Sequence, residues 1–333
     1  MNIYDISKKA GVSIATVSRV LNDSPRVSEK TRDKVLSVME QNSYTPNVYA
    51  RGLGLGSMNT IGILCADSSD IYLANAVYYL ERDLRQHGYS SILCCTGYEL
   101  ESKQNCMKLL LSKRTDAIIL VGSTFIEKRA EHNNYILEAG MEVPVMLING
   151  YLEGSNLYCS LCDEHQAVYD VTSRLLNQGF DNPIHLYRAL SYSGLQKKEG
   201  FLQAISEKGL NPQDRVHECS GDMDDVIDFL DSLYDSGKRF NAIITSNDEL
   251  AIGAIKFARA KGLRIPEGIS IVGHNNSKLA RYCEPELTSI DNKLEMICIH
   301  TVTTLMRIFD NKNVANKTMF SAELIKRQTT SFN

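Results

Sequence analysis

The stretch Gly11-Val-Ser-Ile-Ala-Thr-Val-Ser-Arg-Val-Leu-Asn22 decides how the rest of the chain is read. Gly11 suits a tight turn between helices, because glycine enters positive φ without steric cost. Ser13 is a good N-cap for the helix that follows, its hydroxyl accepting from a backbone N–H one turn on. Val17, Val20 and Leu21 fall at i, i+3 and i+4 and give that helix one apolar face. Its other positions, Ala15, Thr16, Ser18 and Arg19, are small or hydrogen-bonding, which lets a helix lie close against base edges in a major groove. A capped surface helix of no special purpose would show the same window, so the flanking residues must decide.

Upstream, Asn2 is a plausible N-cap with Asp5 in the first turn, opening a helix that runs to about Ala10 with Ile3, Ile6 and Ala10 inward. Downstream, Asn22-Asp-Ser-Pro25 is a polar turn. Ser28 then caps a third helix with Val35, Leu36, Val38 and Met39 as its apolar side, ending near Asn42. Three short helices bury only a small core. Pro46 restarts a helix, since proline fits the first helical position, and this piece dissolves into Gly52-Leu-Gly54-Leu-Gly56. The glycines do not form a G-x-G-x-x-G and precede a strand instead of following one, so a hinge is expected here and not a phosphate loop.

The runs Tyr4–Asn22, Val27-Ser-Glu-Lys-Thr-Arg32 and Tyr44-Thr-Pro-Asn47-Val-Tyr-Ala-Arg-Gly-Leu53 together resemble the N-terminus of lactose- and purine-repressor-type transcription factors, the LacI/GalR family. That resemblance implies a sequence-specific DNA-binding regulator, a repressor acting as a homodimer on a palindromic double-stranded operator. It makes Ile14 and Ala15 the variable base readers, with Thr16, Ser18 and Arg19 as further groove contacts. Ala15 would touch a thymine methyl, and Arg19 could bind guanine through two hydrogen bonds. Ile14 could also pack against Val17. Tyr4, Ser13, Asn22, Thr31 and Asn47 match phosphate-positioning residues, Ala50 and Arg51 belong to the same DNA-contacting hinge, and Leu53 matches a leucine that wedges into the minor groove.

From Thr60 the pattern changes to short apolar runs alternating with amphipathic helices. Strands are expected at 61–66, 91–95, 117–121 and 145–148, with helices at 71–87, 99–112 and about 131–139 between them. A second round follows: helix 164–178, strand 184–187, helix 195–208, a short strand near Val216, helix 222–235, strand 242–245, helix 248–261 and strand 269–272. This order implies parallel sheets with helices on both faces. Pro285–Ile290 and a last helix at 293–310 cross back, so the body resembles the two-lobed, periplasmic-binding-protein-like sugar-binding fold, and the resemblance extends to Leu324-Ile-Lys-Arg327. The fold class is thus a three-helix helix-turn-helix head plus an α/β body. The expected domains are a head at 1–45, a hinge at 46–59, a first lobe at 60–160 plus 292–320, and a second lobe at 161–291 plus 321–333.

Ligands of open α/β units bind outside the carboxyl ends of the strands, and a cleft between two lobes gathers such ends from both. Candidates for a small-molecule effector are Ser69, Tyr72, Leu73, Asn149, Asp163, Tyr192, Lys197, Met223, Asn247 and Asn275. Three depart from the family pattern: Leu73 stands where an aromatic is common, Lys197 where an arginine grips the ligand, and Asn275 where a carboxylate is usual. A lysine is a point charge and loses planar two-point recognition. The pocket keeps polar, hydroxyl-reading chemistry, and a sugar or related metabolite is expected.

Composition agrees. The net charge of −4 divides into +3 over residues 1–59 and −7 over the rest, a basic head on an acidic body. The nine cysteines form no framework, and Cys159-Ser-Leu-Cys162 is expected to be a pair of buried thiols in a strand. No apolar run reaches the roughly 18 residues of a membrane helix, and no signal peptide opens the chain, so a cytoplasmic protein without membrane contact is expected. A transport binding protein would need a signal peptide and no DNA-reading head. An α/β enzyme would need a catalytic pair, nucleophile elbow or metal cluster, and none stands out; no cofactor is expected.

Glycine costs about 1 kcal/mol per helical position relative to alanine. A hinge helix that ends Gly-Leu-Gly-Leu-Gly is therefore expected to form only when DNA and a dimer partner hold it. Amides 47–53 should exchange freely in the unbound protein and gain protection on operator in hydrogen-exchange mass spectrometry; equal protection in both states would count against a DNA-induced hinge.

Overall fold

The structure is a computed structural model and describes residues 1–21, 24–44, 57–219 and 222–332. The expected hinge helix, with Asn47, Ala50, Arg51 and Leu53, lies outside the described residues, as does Asn22.

The head consists of α1 (Ile3–Ala10), α2 (Ile14–Leu21) and α3 (Glu29–Gln41). Asn2 caps α1 in a reciprocal box with Asp5, and Gly11 ends it at φ 61°, where Val12 N–H reaches back to Ser7 O at 3.0 Å. Ser13 and Ser28 cap α2 and α3 through the N–H groups of Thr16 and Thr31. Ile6, Ala10, Val17, Val20, Val35 and Met39 form the core of the head. Leu36, expected on the apolar side of α3, is exposed instead. It follows Val35 directly, and one residue along a helix turns the side chain about 100° away from the buried stripe.

The body begins with β1 (Thr60–Cys65), α4 (Ile71–Gln86), β2 (Ser90–Cys95), α5 (Leu100–Ser112), β3 (Ala117–Val121), α6 (Asn134–Glu142), β4 (Val145–Ile148) and β5 (Leu157–Cys162). A second series follows: α7 (Glu164–Asn177), β6 (Pro183–Tyr187), α8 (Tyr192–Glu207), β7 (Val216–Glu218), α9 (Met223–Asp235), β8 (Ala242–Thr245), α10 (Asp248–Ala260), β9 (Ser270–His274), α11 (Lys278–Tyr282) and β10 (Thr288–Asp291). The chain closes with α12 (Leu294–Phe309), β11 (Lys317–Phe320) and β12 (Glu323–Ile325).

Two sheets result. The first has the order β2-β1-β3-β4-β5-β11 and is parallel throughout; the second has β7-β6-β8-β9-β10-β12, with only β12 antiparallel. Along β1, Ile61, Ile63 and Cys65 face α4 and α12, while Leu64 faces the opposite core under α5 and α6. The second sheet is covered by α9 and α10 on one face and α7 and α8 on the other. The chain passes between the sheets three times, after Cys162, after Asp291 and after Phe320.

Two helix starts differ from expectation. The helix expected at 131–139 starts at Asn134 behind a 3-10 turn, because the Asn133 side chain clamps the Glu127 backbone, accepting from its N–H at 2.8 Å and donating to its O at 3.0 Å. The helix expected at 195–208 starts three residues earlier, where Ser191 caps it through Gly194 N–H. Cys159 and Cys162 lie buried in β5 as free thiols, and burial pushes both thiols up.

Helices α7 and α8 pack so closely that a Cβ on Gly200 would sit 2.2 Å from His165 O, a backbone atom that cannot yield. Gly200→Ala should destabilise the protein by about 2 kcal/mol or more, read from urea unfolding. Wild-type stability in that variant would mean that the two helices can slide apart.

Candidate functional site: the DNA-facing helix and the cleft between the lobes

On the head, Ser13, Ile14, Ala15 and Arg19 are exposed, and Thr16 and Ser18 are half-buried beside them. Ile14, for which packing against Val17 was the other reading, is 39% exposed while Val17 is fully buried. The face of α2 turned away from the core is thus the one that carries the base-reading candidates. Tyr4 and Ser13 stand at the starts of α1 and α2, and Thr31 lies in the first turn of α3, where the positive end of the helix dipole favours phosphate. The hydroxyls of Thr16 and Thr31 already pair with those of Ser13 and Ser28, each at 2.9 Å.

In the body, the strand order reverses between β1 and β3 in the first sheet and between β6 and β8 in the second. Such reversal points leave a crevice at the carboxyl ends of the strands. Here the two crevices face each other across a cavity of about 360 Å³. Of the ten effector candidates, Tyr72, Leu73, Asn149, Lys197 and Asn275 line it. Asn149, at φ 55°, accepts from Cys162 N–H at 2.9 Å and donates to the Tyr72 hydroxyl at 2.5 Å, so it fixes that ring against the first crossing. Asn275, at φ 91°, accepts from Asn292 Nδ2 at 3.1 Å.

The other five lie outside the lining, and four of these placements have an evident cause. A residue just after a strand is also well placed to cap the next helix, and that use competes with facing a ligand. Asp163 caps α7 through Gln166 N–H, and Asn247 caps α10 through Leu250 N–H. Both the N–H and the hydroxyl of Ser69 bond to Asp67. Tyr192 packs against the core of the first lobe. Met223 is the first residue of α9, and nothing in the structure explains its lying outside the lining.

Eight polar or aromatic lining residues were not among the candidates: Asp70, Tyr98, Ser123, Thr124, Glu164, Arg188, Ser193 and Asn292. Four of them could have been found by the same strand-end rule, since Asp70, Tyr98, Ser123 and Arg188 follow β1, β2, β3 and β6 within a few residues. Several connect the lobes directly. Ser123 of the first lobe donates to Ser191 and shares a second hydrogen bond with Ser193, each at 2.8 Å. Asp70 of the first lobe lies 3.5 Å from Arg188 of the second.

The floor of the cleft is a buried charge cluster. Lys197 Nζ donates to Ser246 O at 3.0 Å and lies 3.8 Å from Glu164, whose other neighbour, His274 Nε2, is 2.5 Å away. Burial alone would raise the Glu164 carboxyl, but the His274 and Lys197 side chains outweigh it and hold it below its ordinary value. Burial pushes the His274 imidazole below its ordinary value, against the pull of Glu164. The cluster therefore sets one carboxylate between an ammonium and a buried imidazole. Among the described residues, no group of three or more His, Cys, Asp and Glu could hold a metal ion, and no helix is long and apolar enough to cross a membrane.

A helix-turn-helix head joined to a two-lobed body with a polar cleft defines a DNA-binding regulator with a small-molecule site. Comparison with known proteins agrees. Residues 2–47 match the family of bacterial regulatory proteins of the lacI type, and residues 58–328 match the periplasmic binding proteins and sugar-binding domain of the LacI family. An HTH-type transcriptional regulator of Lachnoclostridium phytofermentans is 56% identical over 333 residues, covering 100% of both chains. A Lac repressor dimer bound to operator and the anti-inducer ONPF has the same fold, with a TM-score of 0.88 at 22% identity over 99% of both chains. A complex of the transcriptional regulator CelR with cellobiose aligns with a TM-score of 0.71 at 21% identity over 99% of both chains. The chain belongs to the LacI family of transcriptional regulators, and it is a DNA-binding protein and not an enzyme.

Below the cluster, His185 is fully buried, and its Nδ1–H donates to Ile244 O at 3.1 Å. Burial first, and the Lys197 charge second, push it from its ordinary value of 6.5 to about 3. The unfolded chain takes up a proton near pH 6.5 that the folded chain refuses. Stability is then fully present above that pH and lost progressively as pH falls toward 3. Between pH 7 and 5 this group alone should remove about 2 kcal/mol. Urea unfolding should show a smaller loss over that range in His185→Gln; the same slope in both proteins would show that another group carries the acid sensitivity.

Proposed function

We propose that the protein is a homodimeric repressor in the cytoplasm, whose operator affinity is set by a small hydroxylated ligand, a carbohydrate, bound between the lobes. Residues 1–45 read DNA, residues 46–59 connect head to body, and the lobes at 60–160 plus 292–320 and 161–291 plus 321–333 hold the ligand. The observation that carries the proposal is the make-up of the cleft. Tyr72, Leu73 and Tyr98 offer apolar and aromatic surface to a ring face, while Ser123, Ser193, Asn149, Asn275 and Asn292 offer neutral donors and acceptors for hydroxyls. Its four charged groups, Asp70, Glu164, Arg188 and Lys197, balance in sign. The Lac repressor dimer on operator and the CelR–cellobiose complex, which share the fold, support the dimer and the carbohydrate respectively.

Ligand and operator compete or cooperate through the angle between the lobes. The coupling is reciprocal, so operator must change ligand affinity by the same factor that ligand changes operator affinity. Two-fold symmetry calls for a palindromic operator with matched half-sites.

Gel shifts on palindromes from the DNA upstream of the protein's own coding sequence test this. Binding should be sequence-specific and fall steeply with salt. Arg19→Ala should cost about 1–3 kcal/mol and relax preference at one base position, whereas Tyr4→Phe should weaken binding to all sequences alike. An Arg19→Ala protein with unaltered sequence preference would remove Arg19 from base recognition. Absence of salt-sensitive, sequence-specific binding under every ligand condition would overturn the repressor.

A further inference from the structure

Position 197, where the family resemblance puts the ligand clamp, is occupied by a side chain with other commitments. Lys197 is 6% exposed, donates to Ser246 O and faces Glu164, so its charge is matched inside its own lobe. Arg188 is different. It follows β6, its backbone N–H is anchored to Ser246 Oγ at 3.1 Å, and its side chain projects to the cleft with 44% exposure. Its only ion-pair partner among the described residues is Asp70, across the cleft at 3.5 Å, longer than a well-formed hydrogen bond between the two. Asp70 is held in place because its Oδ1 caps α4, accepting from Leu73 N–H at 2.9 Å, which leaves Oδ2 toward Arg188.

We infer that Arg188 and Asp70 together read a vicinal diol of an uncharged ligand, replacing the clamp that Lys197 cannot form. One hydroxyl donates to Asp70 Oδ2 while the neighbouring oxygens accept from the guanidinium fork, which no lysine can match. The inference rests on the cleft being the effector site. The local field selects against anions. Asp67 and Glu249 also interact electrostatically with Arg188, which makes it a single cation among three carboxylates. The floor gives no spare positive charge, because Lys197 is balanced by Glu164. A phosphate or carboxylate on the ligand would meet net repulsion at the mouth and no free cation at the floor. Because Asp70 belongs to the first lobe and Arg188 to the second, a bound diol also ties the lobes together. The residue pair that reads the ligand is therefore also a bridge that closes on it.

The test is calorimetric titration of the full chain with D-glucose, D-galactose, D-xylose and cellobiose, and with glucose 6-phosphate and galactose 6-phosphate. At least one neutral sugar should bind, and no phosphorylated sugar should bind more tightly than its neutral parent. Arg188→Lys, which keeps the charge but loses the fork, and Asp70→Asn, which keeps the helix cap but loses the charge, should each weaken the neutral sugar roughly tenfold or more. Thermal melts without ligand check that both variants fold. A phosphorylated sugar that binds more tightly than its parent overturns the inference and leaves the carbohydrate cleft standing. So does a neutral sugar whose affinity survives both substitutions within about twofold. Binding by no member of the panel overturns the inference and the carbohydrate reading together.

Discussion

The chain passes between the two lobes three times, and this constraint organises the body. Because β5, β10 and β11 each end at a crossing, the carboxyl ends of both parallel sheets open onto one gap. The crossings are themselves tied together. Asp163 N–H donates to Phe320 O at 2.9 Å, linking the first to the third. Lys293, at φ 59°, pairs with both Asp291 and Glu323, linking the second to the third. The lobes are thus held at one hinge and bridged across the cleft by serine hydroxyls and the Asp70–Arg188 pair. Relative rotation about that hinge is the motion this connectivity leaves open to a ligand.

The buried cluster of Glu164, Lys197 and His274 is a second constraint. Removing one partner from a buried ion pair leaves the other charge without compensation, which is far costlier than losing an exposed pair. The cluster fixes the start of α7, the inner face of α8 and the end of β9 relative to one another, beneath the cleft. Ligand-facing residues such as Arg188 and Ser193 therefore stand on a rigid floor, and the side chains that must adapt are those nearest the mouth.

Much of the fold was legible because its signals are local and periodic. Strands such as Ala117–Val121 and Val145–Ile148 are short apolar runs that only a strand covered on both faces explains, and the structure has them at the expected residues. The late strands β11 and β12 gave no such signal: alternate residues of β11 are exposed, and β12 is a three-residue edge. The site was half legible. A strand end marks a place but not an orientation, and Asp163 and Asn247 turn their side chains to the next helix where Asp70 manages to cap and face the cleft at once. Lys197 shows the other limit. It lines the cleft, but its partners are Ser246 and Glu164, which are distant in sequence and meet it only in the folded lobe.

The last strands also set an order of assembly during synthesis. The first sheet takes its edge strand from Lys317–Phe320 and the second from Glu323–Ile325, while Thr329 threads between Thr288 and Ile271 through three hydrogen bonds. Neither lobe can complete its sheet until almost the whole chain has left the ribosome. Among the described residues, the core of the head is drawn from Ile3 to Tyr44 alone. A nascent molecule therefore carries a finished DNA-facing helix for most of its synthesis, before the body that will govern it exists.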